Sequence, residues 1–250
     1  MHRFFVSADC IDGERVVLAG DLAYQLTSVL RASPGKQIIV LDDFGWEYLV
    51  TLDRISPRDV RGRVMERSLS KGEPTIRVTL YLALLKASKF ELVLQKGTEL
   101  GVSRFVPIFC SRSVPKDRGA ERASSRYRRW RQIISEAAEQ SRRGRLPVLE
   151  PAANFDAACD TARGLVMIPW EEESETGLKA ALARYRECGY PDAPVSIFTG
   201  PEGGFTRPEV DYARAKGIVP VSLGRRILRA ETAPIATLAA ILYEMGEFGV

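Results

Sequence analysis

The sequence predicts an α/β protein in which a β-rich N-terminal part precedes a larger layer of alternating strands and helices. Short runs of β-branched residues separated by turn signals fill the first seventy residues. From Thr75 onward, apolar strand-like runs alternate with amphipathic helical patterns, which predicts a mostly parallel sheet. The chain has 250 residues and is 45% hydrophobic, enough to bury the core of one large or two small domains. We therefore expect a β domain over residues 1–70, a linker near 68–74 and an α/β domain over residues 75–250.

The N-terminal part contains four strand-like runs, at residues 16–18, 37–41, 48–52 and 60–65. The last run alternates apolar and polar residues, as a half-buried strand does. One helix is expected over residues 21–31, with Leu22, Leu26, Val29 and Leu30 on one face. Short strands at this spacing predict a small barrel.

The C-terminal part alternates the two element types. Strands are expected at residues 76–85, 105–109, 165–168, 195–199 and 218–223. Helices are expected at 89–100, 127–141, 178–185, 206–216 and 236–248. Two boundaries have chemical signals: Gly101 is a helix stop, and Thr206-Arg207-Pro208-Glu209 forms a capping box.

Composition disfavours several kinds of catalytic and metal site, and it disfavours a membrane or secreted protein. His2 is the only histidine, so a catalytic triad, a cysteine–histidine pair or a multi-histidine metal site is disfavoured. The four cysteines lie far apart without a C-x-x-C pair, which disfavours zinc and disulfide frameworks and favours a reducing cytoplasm. No apolar run approaches the roughly 20 residues of a membrane span, and no secretory signal begins the sequence. We expect chemistry based on charged side chains, backbone groups and a cofactor.

Positive charge is concentrated in one segment. Residues 112–145 contain eleven basic and four acidic residues, a net charge of +7, whereas the rest of the chain carries −3. Nearly all the basic residues are arginines, which suit bidentate contacts to phosphate. A solvated helix face is the alternative, but the local excess favours nucleic acid as the partner.

A glycine-containing loop follows the predicted strand 195–199. It reads Thr199-Gly200-Pro201-Glu202-Gly203-Gly204-Phe205 and leads into the capped helix. Sheets of this class bind ligands at the carboxyl ends of their strands, and glycine lets backbone approach a ligand or adopt positive φ. The loop lacks the Gly-Lys-[Ser/Thr] of a triphosphate-binding loop. It is a candidate ligand site, with a tight strand-to-helix turn as the alternative.

A second loop follows the next predicted strand. It reads Leu223-Gly224-Arg225-Arg226-Ile227-Leu228-Arg229-Ala230-Glu231-Thr232-Ala233, and Thr232 is expected to cap the last helix, with Pro234 in its first turn. Three arginines and a glutamate between apolar elements are unusual for a simple turn. A solvated connector with a structural ion pair is the alternative. Two such loops on successive strands favour one shared site.

The two loops closely resemble those of the RsmE family, SPOUT-class methyltransferases that modify N3 of a uridine in small-subunit ribosomal RNA. The resemblance rests on Gly200-Pro201-Glu202-Gly203-Gly204 and on Leu223-Gly224-x-x-Ile227-Leu228-Arg229-x-Glu231-Thr232-Ala233. It extends in the same order to Arg3-Phe4-Phe5, Lys96-Gly97-Thr98-Glu99-Leu100-Gly101-Val102 and residues 135–141. Ala230, where many relatives have threonine, and Pro234 are mild departures.

This resemblance implies both architecture and ligands. It implies a C-terminal SPOUT domain with a deep trefoil knot, a PUA-like RNA-binding β-barrel in front, and a homodimer whose contact lies beside the cofactor. The substrate would be small-subunit ribosomal RNA, free or in the assembled subunit, with no membrane partner and no metal. The implied S-adenosylmethionine-binding residues are Thr199, Gly200, Pro201, Glu202, Gly203, Gly204, Leu223, Gly224, Ile227, Leu228, Arg229, Thr232 and Ala233.

RNA contacts are expected from the basic segment and from the other resembling motifs. The candidates are Arg3, Lys96, Glu99, Arg126, Arg128, Arg129, Glu139, Gln140, Arg142 and Arg143. Among them Glu99, Glu139 and Gln140 are candidates for holding the uracil edge.

Methylation of uridine N3 requires stabilisation of negative charge, because N3 must lose its proton. Arg229 is the candidate to stabilise that charge. Glu231 is a candidate general base or positioning group for Arg229, and a purely structural Glu231–Arg229 ion pair is the alternative. Two other functions are a non-catalytic ribosome-associated RNA-binding protein and a hydrolase that binds phosphate at the first loop. The absence of the phosphate-loop lysine disfavours the hydrolase.

Overall fold

The computed structural model describes residues 1–56, 58–113, 120–187 and 194–249. For residues 120–123 and 185–187 it describes the backbone only. The chain folds into two compact units, within which most residue–residue contacts lie. The first unit comprises Met1–Glu73 and Ser135–Leu146, and the second comprises Pro74–Ile134 and Pro147–Val250. The segment Ser135–Leu146 therefore groups with the first unit, although the sequence places it within the expected domain 75–250.

The first unit contains a six-stranded mixed β-sheet, which agrees with the β-rich character predicted for the first seventy residues. Its strands are β1 (Arg3–Phe5), β2 (Ile11–Asp12), β3 (Arg15–Ala19), β4 (Gln37–Leu41), β5 (Trp46–Ile55) and β6 (Asp59–Leu69). They lie in the order β1-β4-β5-β6-β3-β2. The β1–β4 pair is parallel and the others are antiparallel. Side chains alternate between the core and solvent, so that Val16 and Leu18 of β3 are buried while Arg15 and Val17 are exposed.

The helix predicted over residues 21–31 is shorter and changes its winding. The α-helix α1 (Gly20–Tyr24) continues into a π-helical turn over Gln25–Val29. A π turn contains an extra residue, which alters the phase of the side chains that follow it. Leu26 is buried as expected, but Val29 is 64% exposed. The assignment of Val29 to the buried face is therefore wrong.

The second unit is an α/β layer around a parallel sheet, which confirms the predicted class. Its strands are β7 (Val78–Ala83), β8 (Arg104–Phe109), β9 (Val148–Leu149), β10 (Ala153–Asn154), β11 (Leu165–Pro169), β12 (Val195–Thr199) and β13 (Val219–Val221). The main order is β10-β8-β7-β12-β11-β13, with β9 paired to β8. The strand expected at residues 218–223 is shortened to β13, an edge strand that contains Pro220.

Six helices accompany these strands in the described residues: α2 (Ala87–Leu100), α3 (Ala120–Gln140), α4 (Phe155–Thr161), α5 (Leu178–Glu187), α6 (Arg207–Ala215) and α7 (Thr232–Glu244). Gly101 ends α2 in the left-handed conformation at φ 101, and Thr206 caps α6 in a complete capping box. The sequence did not predict α4. The last helix begins at Thr232 rather than at 236.

Hydrophobic residues cover both faces of the parallel sheet. Along β7, Leu80 and Leu82 join one core cluster, whereas Tyr81 and Ala83 join the other. This explains the continuous apolar run in the sequence, since a parallel sheet is buried on both sides. Because β11 lies between β12 and β13, the carboxyl ends of these three parallel strands are neighbours.

Candidate functional site

A cavity of about 460 Å³ lies within the second unit, where the chain leaves β11, β12 and β13. Both predicted loops line it, and Pro169, Trp170 and Glu171 after β11 add a third wall. Lys89 on α2 also reaches the cavity. The two loops predicted separately thus form one site, in the position where α/β sheets bind ligands.

The first loop is a tight turn whose geometry depends on glycine. The Gly204 N–H donates to the Pro201 carbonyl at 2.9 Å, and Gly204 has φ +69. A Cβ at Gly204 would overlap the Glu171 carboxylate, in a conformation that L-residues rarely adopt. The Arg112 guanidinium donates to the Gly203 carbonyl at 2.7 Å. This turn holds the loop backbone against the third wall of the cavity.

The start of α6 anchors the far end of the first loop. The Glu209 carboxylate accepts hydrogen bonds from the backbone N–H groups of Thr206 and Ser111, each at 2.8 Å. Burial opposes ionisation of Glu209, but these hydrogen bonds outweigh it and lower the pKa of the carboxyl. The ionised Glu209 thereby connects the loop after β8 to the loop after β12.

The second loop leads directly into α7 through its backbone. The Arg229 carbonyl accepts from the N–H groups of Thr232 and Ala233 at 2.8 and 2.9 Å. Glu231 occupies the N-cap position, and no side chain caps the helix. The prediction that Thr232 caps α7 is therefore wrong, because the backbone turn begins the helix one residue earlier.

Lys89 lies between acidic residues of the two loops. Its Nζ is 3.0 Å from the Glu231 Oε2 and 3.9 Å from the Glu202 Oε1. Glu202 also accepts a hydrogen bond from the Lys86 N–H at 3.3 Å. The adjacent Lys89 ammonium lowers the pKa of the Glu231 carboxyl. Lys89 therefore connects loops that follow two strands not adjacent in the sheet.

Comparison with known proteins identifies the family. A family model of the RNA methyltransferase domain matches residues 71–242. The ribosomal RNA small subunit methyltransferase E of Bacillus subtilis (strain 168) is 33% identical over 249 residues, 98% of this chain and 97% of the relative. The protein of the same name from Synechocystis is 33% identical, with coverages of 96% and 77%. The chain belongs to the ribosomal RNA small subunit methyltransferase E family.

Solved structures of relatives support this family membership. The ribosomal RNA small subunit methyltransferase E of Neisseria gonorrhoeae, bound to S-adenosylmethionine, is 28% identical with a TM-score of 0.86, and the match covers 97% of each chain. A methyltransferase of Legionella pneumophila in complex with the same cofactor is 27% identical with a TM-score of 0.85 over 96% of each chain.

Most of the predicted cofactor residues line the cavity. All do so except Thr199 and Thr232. Thr199 is buried, and its hydroxyl donates to the Tyr81 carbonyl at 3.4 Å, whereas Thr232 is an exposed first residue of α7. Sequence reasoning missed Lys89, Trp170 and Glu171 as wall residues. The acidic run beginning at Glu171, directly after a predicted strand, was an available signal.

The two predicted catalytic residues differ in their surroundings. Arg229 is an exposed wall residue, and its side chain has no ion-pair partner within the described part of the chain. Glu231 pairs with Lys89, so the proposed structural ion pair with Arg229 is not the one that forms. Arg229 is thus available to a ligand, whereas Glu231 is already engaged.

Several predicted RNA contacts in the first unit have structural partners instead. Arg3 pairs with Glu47 at 2.5 Å, and Glu139 accepts from the Phe5 N–H at 3.1 Å. Arg143 is buried and pairs with Glu73 at 2.9 Å. These roles argue against Arg3, Glu139 and Arg143 as RNA contacts, because each side chain is occupied within the unit. Gln140 and Arg142 are exposed, and Arg142 adopts a left-handed φ of 63.

The second unit contains the remaining RNA candidates. Lys96 pairs with Glu99 at 2.8 Å on α2, and Arg129 pairs with Glu91 at 2.6 Å. Arg128 is exposed, and Arg126 lies over the Trp130 ring at 5.3 Å. Lys116, Asp117 and Arg118 of the basic segment lie outside the described residues, as do the side chains of Glu121 and Arg122. The basic segment is therefore partly neutralised by local acids.

The described residues contain no cluster of ligands that could hold a metal ion and no helix long and apolar enough to cross a membrane. Burial raises the pKa of the Cys110 and Cys159 thiols, in the latter case to about 12. Neither thiol is therefore a nucleophile at neutral pH. Cys188 lies outside the described residues.

Proposed function

We propose that this protein is an S-adenosylmethionine-dependent methyltransferase that modifies N3 of a uridine in small-subunit ribosomal RNA. The observation that carries the proposal is the single cavity formed by both family loops at neighbouring strand ends. Relatives that share this fold bind S-adenosylmethionine. The intact cavity argues against a protein that binds RNA without catalysis.

The cavity has the size and chemistry for this cofactor. Its volume of about 460 Å³ lies within the usual range for small-molecule sites. The indole N–H of Trp170 is buried without a hydrogen-bond partner among the described residues, and adenine nitrogens or ribose hydroxyls could accept from it. The backbone of residues 200–204 and 223–224 offers further polar groups next to glycines. Once bound, the cofactor supplies an electrophilic methyl group.

The protein's own residues hold the reactants and manage charge. Arg229, unpaired and exposed at the cavity, would face the uracil and stabilise the negative charge that follows loss of the N3 proton. Glu231 is better suited to positioning than to proton abstraction, because Lys89 keeps it ionised and lowers its basicity. In this assignment Glu231 and Lys89 orient the second loop so that Arg229 points at the substrate.

Each unit retains candidate RNA-binding residues of its own. Arg126, Arg128, Gln140 and Arg142 are the candidates whose surroundings still support contact with RNA. Arg129 is paired with Glu91, but its side chain is 64% exposed, so it stays a candidate. Lys96 and Glu99, paired with each other, would act together if they reach the uracil edge. We assign residues 1–70 to a PUA-like RNA-binding domain and residues 75–250 to the SPOUT methyltransferase domain. The mixed sheet of the first unit supports the first assignment.

Three further family properties complete the proposal. A deep trefoil knot in the C-terminal domain is supported by membership of the ribosomal RNA small subunit methyltransferase E family. A homodimer is supported by Ile227, an apolar cavity residue that is 87% exposed. A cytoplasmic location follows from a ribosomal RNA substrate.

Two measurements test the proposal. Calorimetry in EDTA should show saturable S-adenosylmethionine binding, and a requirement for added metal would contradict it. Mass mapping of nucleosides in small-subunit ribosomal RNA, from cells with and without the protein, should show one N3-methyluridine that depends on it. If the modified nucleosides are the same with and without the protein, yet the protein binds S-adenosylmethionine tightly, its substrate is a molecule other than small-subunit ribosomal RNA.

A further inference from the structure

The solvent-facing side of the sheet in the first unit carries four arginines on three adjacent strands. Arg61 and Arg63 are two residues apart on β6, so they lie on the same face. Arg15 of β3 is directly opposite Arg63, and Arg54 of β5 is directly opposite Arg61. All four are exposed, while the other side of these strands forms the core. We call Arg15, Arg54, Arg61 and Arg63 the arginine face.

Acidic residues only partly neutralise the arginine face. Arg61 donates to Asp59 at 2.8 Å, and the exposed Asp12 of β2 lies directly opposite Arg15. Asp53 lies at the irregular register between Leu52 and Arg54. Arg15, Arg54 and Arg63 have no ion-pair partner within the described residues. Like charges directly opposite each other on neighbouring strands destabilise a sheet. The arginines of each directly opposed pair therefore repel one another, and Asp12 and Asp59 offset only part of that repulsion.

We propose that the arginine face binds the phosphate backbone of the RNA substrate. Residues two apart on a strand are separated by roughly 6.6 Å and adjacent strands by about 4.8 Å, so the four guanidinium groups form a compact cluster. Planar guanidinium groups suit bidentate contacts to phosphate. The four arginines outnumber the neighbouring acids Asp12, Asp53 and Asp59, so the face keeps a net positive charge. The proposal rests on the proposed function for the identity of the RNA.

The test compares two triple variants with equal loss of charge. The first is Arg15→Gln, Arg54→Gln and Arg63→Gln, which removes the unpaired arginines of the face. The control is Arg77→Gln, Lys179→Gln and Arg184→Gln, three exposed residues of the second unit without an ion-pair partner in the described chain. Affinity for a small-subunit ribosomal RNA fragment is measured over a range of salt concentrations, together with the melting temperature and methylation kinetics.

The face variant should bind RNA on the order of tenfold more weakly, and its salt slope should fall by roughly two to three, one unit for each lost phosphate contact. Its melting temperature should rise by roughly 1–4 °C, because like-charge repulsion is relieved. The KM for RNA should rise while kcat at saturating RNA stays unchanged. The control should change RNA affinity far less.

Greater stability with unchanged RNA affinity would overturn the proposal and make the face an ordinary solvated surface. Equal losses in both variants would also overturn it, since only net charge would then matter. Loss of binding to phosphatidylserine vesicles with RNA binding intact would assign the face to a membrane. If the wild-type protein neither binds nor methylates the RNA, the proposed function fails rather than this inference.

Discussion

Replacing Lys89 with methionine should destabilise the second unit and weaken cofactor binding, because it breaks the link between the two loops. The Lys89 Nζ is 3.0 Å from Glu231, and the two side chains are 28% and 16% exposed. An exposed ion pair contributes about 0.2–1 kcal/mol, whereas removing one partner of a buried pair costs about 3–5 kcal/mol. This half-buried pair lies between the two cases, so we expect a loss of about 1–2 kcal/mol.

The effect should depend on pH in a defined direction. Lys89 lowers the pKa of Glu231 below its usual value of 4.5. A carboxyl with a lowered pKa stabilises the folded state above its unfolded pKa, and this contribution is lost as the pH falls through the folded pKa. The difference between wild type and Lys89→Met should therefore be full at pH 7 and should shrink once the pH falls below 4.5.

Urea unfolding and calorimetry of a double-mutant cycle provide the measurement. Lys89→Met, Glu231→Gln and the double variant should give a coupling of about 1 kcal/mol at pH 7, and S-adenosylmethionine affinity should fall in each. Lys86→Met is the matched control, because Lys86 is exposed and contacts Glu202 only through its backbone N–H. A coupling near zero, or an equal loss in the control, would refute the role assigned to Lys89.

Three further changes test the rest of the site. Gly204→Ala should strain the loop by about 1–2 kcal/mol, because alanine disfavours φ +69, and its Cβ should displace Glu171. Calorimetry should then show weaker cofactor binding, and an unchanged affinity would make the loop an ordinary turn. Arg229→Ala should lower the single-turnover methylation rate by about 100- to 1,000-fold with little change in binding, and a full rate would remove Arg229 from the mechanism. Reversing Arg126 and Arg128 to glutamate should weaken RNA binding and flatten its salt dependence without moving cofactor affinity, whereas an unaltered salt slope would assign them to a solvated surface.

The elements predicted from the sequence were those whose signals are local. The capping box at Thr206 and the helix stop at Gly101 give chemical boundaries that the structure confirms. The continuous apolar run of β7 predicted a strand buried on both faces, and both core clusters use it. The π turn after Tyr24 escaped prediction, because hydrophobic periodicity assumes a regular helical phase. The seven-residue helix α4 was missed, since it spans about two turns and offers little periodicity.

The sequence predicted only those site residues that lie within the two recognisable loops. Gly204 and Arg229 lie in loops whose sequence marks them, so both were assigned to the site from the sequence. Lys89 was not, because its partners Glu202 and Glu231 lie more than a hundred residues away in the chain. The ion pair of Arg143 was missed for the same reason: its charge is visible in the sequence, but its partner Glu73 becomes a neighbour only after folding.

The charges of the cavity wall suggest how one site accommodates a cationic cofactor and an anionic ring. Arg226, Arg229 and Lys89 line the cavity together with Glu171 and Glu202. A sulfonium ion would be repelled by three uncompensated cations at short range, and repulsion is strong where water is excluded. Lys89 is compensated by Glu231 and Glu202, so its charge is largely removed from the cofactor's surroundings. Arg229 has no such partner among the described residues. In the proposed reaction its charge would be most favourable beside the deprotonated uracil, because there it would oppose an anion rather than the sulfonium.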